Sequence, residues 1–450
     1  MQTFHNLSRR RFLRLGAGTA AMAGLSSVGL VGARPLGSGG FGDYKALVCV
    51  FLYGGADTFN LLVPTGAAGY ATYAASRGDL AEPLASLLPI DPLGPIVGGG
   101  TYGLHGQVPE LRDLFQAGRL AFVANVGPLV QPSPKAGLLN GTVPAPLSLF
   151  SHNDQQAQWQ RAWADVAGST GWAGRMLDAL GDVNGATPLS PGISVDQQNR
   201  LMVGEKAAPY VIGSEGTVPL LASDDEEQRE LYTELFATAK HKLGAPIGKT
   251  QIEAMEIEQL LSSKLAEGPT FEGLFPQGPL AEQLRMVARL IAIRAQLGVT
   301  RQVFFVSMGG YDTHGDQLTE LPPLYRSLSE TLGAFQQSLD QIGAASSVTT
   351  FSHTEFGRTL SSNGQGSDHG WGGHAFVLGD AVQGKRIFGA MPDLTLEGTD
   401  DLGEGRIIPT VAVDQFAATL GQWFGLSPSQ ALAVFPNLAN FAELNLGFLG

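Results

Sequence analysis

Five short, continuously apolar runs punctuate the chain, at 46–52, 120–126, 303–308, 348–351 and 375–378. Each is rich in β-branched or aromatic residues and is shorter than a buried helix, the pattern of strands covered on both faces. Between them lie amphipathic stretches at 108–117, 151–163, 226–243, 251–265, 280–297 and 324–342, with apolar residues at helical spacing. Strand-helix alternation predicts an α/β fold, a mostly parallel sheet covered by helices. Residues 182–224, rich in Gly, Pro and Ser, read as an excursion from one domain that runs from about residue 44 to 450.

Composition narrows the class. With 28 Lys+Arg against 41 Asp+Glu and a net charge of -13, there is no basic surface for a phosphate backbone, so no nucleic-acid partner is expected. The single cysteine, Cys49, lies inside the first apolar run, which excludes a disulfide-stapled or thiolate-metal fold and marks it as a small buried hydrophobe.

The first thirty-odd residues carry an address. Ser8-Arg9-Arg10-Arg11-Phe12-Leu13-Arg14 precedes an uncharged stretch, 15–33, that ends in the small residues Val31-Gly32-Ala33. This resembles a twin-arginine export signal, residues 1–33, with the twin-arginine translocase as partner and a periplasmic or extracellular destination. The other reading is a retained anchor, which the Gly and Ser content disfavours. Residues 1–33 hold four Arg and no acid, so the exported chain would carry -13 - 4 = -17.

Candidate chemistry sits where strands end. The first run leads into Tyr53-Gly54-Gly55-Ala56-Asp57-Thr58, and the third into Gly309-Gly310-Tyr311-Asp312-Thr313-His314. In both, two glycines and one further residue place an Asp just past a strand's carboxyl end, the edge where open α/β sheets bind ligands. Histidines 105, 152, 314, 353, 369 and 374 also fall near predicted strands. The Gly-rich segment 366–374 holds Asp368, His369 and His374, carboxylate and imidazole without thiolate, which suits Zn, Mn or another first-row divalent ion. Ser151-His152-Asn153-Asp154 reads either as a capping box or as a hydroxyl nucleophile at the positive end of a helix. Glu355 and Arg358 follow the fourth run, with Arg358 placed to clamp an oxyanion.

These motifs, with Thr354-Glu355-Phe356-Gly357-Arg358-Thr359, Asp368-His369-Gly370, Gly171-Trp172-Ala173-Gly174-Arg175 and Phe435-Pro436, resemble the bacterial domain-of-unknown-function 1501 family from about residue 45 onwards. That family is grouped with the alkaline phosphatase and sulfatase superfamily, so the resemblance implies an alkaline-phosphatase-like three-layer sandwich with one or two divalent ions. It implies Asp57 as the first-strand metal ligand, Ser151 as nucleophile, Asp312 and His314 as the next metal pair, and His374 as the last metal histidine. Glu355 stands where an Asp-His pair is expected, with Phe356 in place of the imidazole, and Asp368 and His369 are possible substitutes. Two functions follow as expectations. One is an exported metal-dependent hydrolase of phosphate or sulfate esters acting on an anionic small molecule or polymer. The other is a non-catalytic binding or assembly protein that keeps the fold.

Overall fold

The apolar run at 46–52 forms a central strand of the main sheet. The computed structural model describes residues 41–185, 187–195, 197–217, 226–237 and 244–450, so the expected export signal at 1–33 lies outside the described residues. Along β1 (Lys45–Leu52), Ala46, Val48, Val50 and Leu52 enter one buried apolar cluster, and Leu47, Cys49 and Phe51 enter another. A strand apolar at both parities must be covered on both sides. Helices Pro109–Gln116, Pro279–Ala292 and Gln317–Gln341 cover one face; Trp172–Leu180, Val413–Phe424 and Pro428–Val434 cover the other.

The further strands are β2 (Leu62–Pro64), β3 (Leu88–Pro89), β4 (Tyr102–Leu104), β5 (Leu120–Gly127), β6 (Gly192–Val195), β7 (Tyr210–Ile212), β8 (Arg301–Met308), β9 (Val348–Thr354), β10 (Arg358–Ser362), β11 (Ser367–His369), β12 (Gly373–Leu378), β13 (Ile387–Phe388) and β14 (Val411–Ala412). The main sheet has the order β13-β5-β12-β9-β1-β8-β6-β7, with β14 beside β5. Only β12 runs against the rest, so the sheet is mostly parallel, as expected. An apolar run carries no direction, which is why β12 could not be distinguished in sequence. The segment expected as an excursion supplies β6 and β7 to the sheet.

Register sets up the site. Leu52 at the end of β1 pairs with Met308 at the end of β8 and with Thr354 at the end of β9. Three carboxyl ends are therefore level, and the turns that follow them emerge side by side. Because β12 is reversed, its first residue, Gly373, reaches the same edge opposite Val126 of β5. Gly54 is needed here: it has φ +115°, and a Cβ would lie 2.3 Å from the Asp312 backbone nitrogen.

The helix expected at 324–342 begins earlier, at Gln317, and takes in Pro322 and Pro323. Each proline removes a helical N–H, but Leu321, Tyr325 and Leu328 are buried in the core, and that packing outweighs the loss. Helices Ala67–Arg77, Trp172–Leu180 and Val413–Phe424 had no counterpart among the expected stretches. Among the described residues no helix is long and apolar enough to cross a membrane.

Candidate metal centre

Four chain segments carry titratable side chains to the level edge. The turn after β8 supplies Asp312 and His314. The turn after β9 supplies Glu355 and leads to Arg358, the first residue of β10. β11 supplies Asp368 and His369 and pairs antiparallel with β10, setting His369 opposite Arg358. Helix His152–Arg161 brings its first residue, His152.

Asp312 Oδ1 is the hub of this group. His314 Nε2 lies 3.1 Å from it, His152 Nε2 3.4 Å and His369 Nε2 3.7 Å. The opposite nitrogen of each ring already has a partner. His314 Nδ1 is 2.8 Å from Asp368 Oδ1, His369 Nδ1 is 2.7 Å from the Phe150 carbonyl, and His152 Nδ1 is 3.4 Å from Glu355 Oε1. A carbonyl and an ionised carboxylate only accept, so these partners assign the proton to Nδ1 and leave each Nε2 a lone pair. Three lone pairs and a carboxylate oxygen thus face one another, with the Nε2 atoms of His314 and His369 2.9 Å apart. Arg358 Nη2 donates to Asp312 Oδ1 at 2.6 Å and Nη1 stands 3.5 Å from His314 Nε2, which offsets part of the repulsion in this grouping, and a divalent cation would offset the rest.

The donor set fits a divalent ion. Ligand distances of about 2.0–2.1 Å imply donor-to-donor spacings of about 2.9–3.4 Å, close to those observed. The donor atoms of His152, Asp312 and His369 all lie within 4.8 Å of one another. Asp312, Glu355 and Asp368 against Arg358 give a formal charge of -3 + 1 = -2. His152, Asp312 and His369 are therefore the residues that would hold an ion, with His314 as a further donor.

Local electrostatics shift Asp312, Asp368 and His369 towards their ligating forms. Burial pushes the Asp312 carboxyl up, but the hydrogen bond and charge of Arg358 hold it below the usual carboxylate range. Burial likewise raises Asp368, and hydrogen bonds from His314 and Asn363 outweigh it. Burial lowers His369 despite its bond to Phe150, a shift towards the neutral ring that a ligand must be. Arg358 is itself fully buried; burial lowers its pKa, while Asp312, 2.6 Å from Nη2, opposes that shift.

The structure does not bring every expected residue to this centre. Asp57 is 0% exposed and its carboxylate is engaged elsewhere: Arg77 Nη2 pairs with Oδ2, and Gln317 Nε2 donates to the same oxygen at 2.6 Å. It also caps the short helix Thr58–Leu61. Gln317 Oε1 in turn accepts from the hydroxyls of Thr313, at 3.2 Å, and Ser367, at 2.5 Å. This buried amide joins Asp57 to the two loops that bear Asp312, His314, Asp368 and His369. His374 is buried, takes the Asn125 amide on Nδ1 at 3.2 Å and packs edge-on to Phe59; burial pushes its pKa down to about 3. Glu355 is held by the amides of Gly54 and Gly55, at 2.9 and 3.0 Å, and orients His152.

Arg358 is turned to Asp312 and to the Tyr311 carbonyl rather than towards open solvent. Ser151 occupies the N-cap position but makes no capping bond; its hydroxyl donates to Asp154 at 2.7 Å, which differs from the capping-box reading. His152 was absent from the expected ligand set. Its signal was its place among the histidines near strand ends, masked by the helix-start motif around it.

No protein of curated function matches the chain in sequence. Among solved structures the chain is similar to Ps i-CgsB, with 8% identity, a TM-score of 0.36, and 88% of this chain and 77% of that one covered. It is also similar to the lipoteichoic acid synthase LtaP from Listeria monocytogenes, with 8% identity, a TM-score of 0.32, and 77% and 68% covered. A third likeness is to a protein in the alkaline phosphatase superfamily from Vibrio parahaemolyticus, with 11% identity, a TM-score of 0.31, and 94% and 76% covered. At such TM-scores these likenesses carry no argument about the site. The model of the family described as "Protein of unknown function (DUF1501)" matches residues 101–435, which include His152, Asp312, His314, Glu355, Arg358, Asp368 and His369 but not Asp57. With that match across most of its length, the chain belongs to the DUF1501 family.

Proposed function

We propose that the protein is an exported, divalent-metal-dependent hydrolase of phosphate or sulfate esters. The observation that carries this reading is the convergence of three imidazole Nε2 atoms, each with Nδ1 engaged elsewhere, on the Asp312 carboxylate. Imidazole and carboxylate without thiolate suit Zn or Mn. The Phe356 ring lies 4.9 Å from that of His152 and 4.6 Å from that of His369, filling the space beside them, which supports one ion rather than two.

An ion held there would polarise the ester and offset its charge. Residues of the chain would supply the rest. Glu355, Asp368 and the Phe150 carbonyl fix the three imidazole tautomers. Arg358 keeps Asp312 ionised and oriented, a positioning role that its burial supports over that of an oxyanion clamp. Ser151, adjacent to His152, is the candidate nucleophile; its hydroxyl proton already points at Asp154, a carboxylate able to take it. The ester class rests on the family resemblance, and export on Arg9-Arg10 before the uncharged stretch 15–33.

Metal analysis of protein purified folded, beside a panel of phosphate and sulfate monoesters, tests the reading. About one ion per chain is expected, with turnover lost on chelation, regained on adding the metal, and absent from Ser151→Ala. Metal-replete protein that turns over no ester would contradict it and favour an exported binding or assembly protein, the reading that Phe356 in place of an imidazole supports.

A further inference from the structure

The helix that opens with His152 places Gln156 and Gln160 at four-residue steps, so all three side chains lie along one face. Gln156 is about 6 Å along the axis from His152. Its carboxamide reaches the Tyr53 hydroxyl at 3.5 Å, and Tyr53 directly precedes the glycines that hold Glu355. Further along that face is a cavity of about 470 Å³ lined by Asn153, Gln156, Gln160, Gln198, Asn199 and Arg200. It adjoins the metal centre through a single helix.

The lining has a distinct chemistry. Among the described residues it holds five carboxamides, one guanidinium and the Ser169 hydroxyl, with no carboxylate and no aromatic ring, and its apolar side chains are an alanine and a valine. Part of the wall is fixed by its own bonds: Gln160 Oε1 accepts from the Arg200 amide at 2.8 Å, and Asn199 Nδ2 donates to Ser194 Oγ at 2.8 Å. Asn153 and Arg200 are exposed. A carboxamide offers a donor and an acceptor together, as does a hydroxyl. An apolar occupant would gain little from so polar a wall, and a nucleobase would find no ring to stack on.

We infer that this cavity is a subsite for a polyhydroxylated leaving group, so that the ester hydrolysed at the metal centre is a sugar phosphate or sulfate. The word "ester" rests on the hydrolase reading above; the sugar subsite does not.

Calorimetric titration of the metal-loaded full chain separates the two. The probes are the 6-phosphonate analogues of glucose, galactose and mannose 6-phosphate, which resist hydrolysis, beside methylphosphonate, which has the same head group without a sugar. At least one sugar phosphonate should bind about tenfold tighter than methylphosphonate, and Gln156→Ala and Arg200→Ala should each remove most of that advantage. Methylphosphonate affinity and metal content should not change. Asn153→Ala, at an exposed position, provides a third variant should either of the others fail to fold. No preference for any sugar phosphonate, or an equal loss for both kinds of probe, would overturn the subsite and leave the hydrolase reading intact. Sugar binding that persists in metal-free protein, with no ester turned over by metal-loaded protein, would overturn the hydrolase reading and leave the subsite.

Discussion

The turns after β1 and β8 share the sequence Gly-Gly-x-Asp-Thr and the same place at the end of a buried parallel strand, yet their aspartates do opposite things. Asp57 is fully buried and tied to Arg77 and Gln317, whereas the Asp312 side chain is 50% exposed and gathers three imidazoles. The difference comes from neighbours rather than from the turn. Helix Ala67–Arg77 ends on a buried arginine that meets the first aspartate, whereas the second aspartate faces β11 and the start of helix His152–Arg161. A turn motif fixes where a carboxylate leaves the sheet. The surrounding chain fixes its role.

The largest effect that would sharpen this contrast is on stability. Asp57→Ala removes the carboxylate that neutralises the buried Arg77 guanidinium, and should lower the unfolding free energy by about 3–5 kcal/mol in urea titration. A loss no greater than that of an exposed Asp→Ala change would show the pair to be incidental. Next is Gly54→Ala. At φ +115° and with a Cβ 2.3 Å from the Asp312 nitrogen, it should destabilise by about 1–3 kcal/mol and displace Asp312. Weakened metal binding in the variant that still folds, read by chelator competition, would show that the two turns are mechanically joined.

Much of this was legible in the sequence. The five apolar runs, the covered sheet and the level edge follow from strand chemistry, and six of the seven residues now at the centre stood in motifs at strand ends. What was not legible depends on partners distant in sequence. Arg77 lies 20 residues from Asp57 in a weakly patterned helix, and nothing local announces their pairing. His152 was read as part of a helix start. His374 shares a loop with His369 and looks equivalent, but the reversal of β12 carries it into the sheet against Phe59.

Acid titration draws the same line between buried and working groups. His353 is buried among Trp159, Phe351 and Phe416, its ring nitrogens have no hydrogen-bond partner among the described residues, and burial pushes its pKa down to about 3. Its folded pKa lies below the unfolded value of about 6.5, so between those values the unfolded chain binds more protons. The contribution to stability is full above about pH 6.5 and falls as pH drops towards 3. His353→Phe should flatten that decline and raise neutral stability by about 1 kcal/mol, measured as urea midpoints against pH. An unchanged pH slope would mean that His353 does not set it. The smallest effect belongs to Ser151. Because its hydroxyl makes no capping bond, Ser151→Ala should change stability by less than about 0.5 kcal/mol in thermal unfolding; a loss of about 1–2 kcal/mol would restore the cap reading.

The most direct test of the central claim is metal stoichiometry and affinity in wild type, Asp57→Asn and Asp312→Asn, measured on folded protein by mass spectrometry and chelator competition with Zn and Mn. Asn at 312 retains an acceptor for Arg358, so the fold should survive and the measurement should report ligation. About one ion per chain is expected in wild type and in the folded fraction of Asp57→Asn, with a loss of at least about tenfold in affinity for Asp312→Asn. Metal bound as tightly by Asp312→Asn as by wild type, or lost only from Asp57→Asn, would contradict that claim.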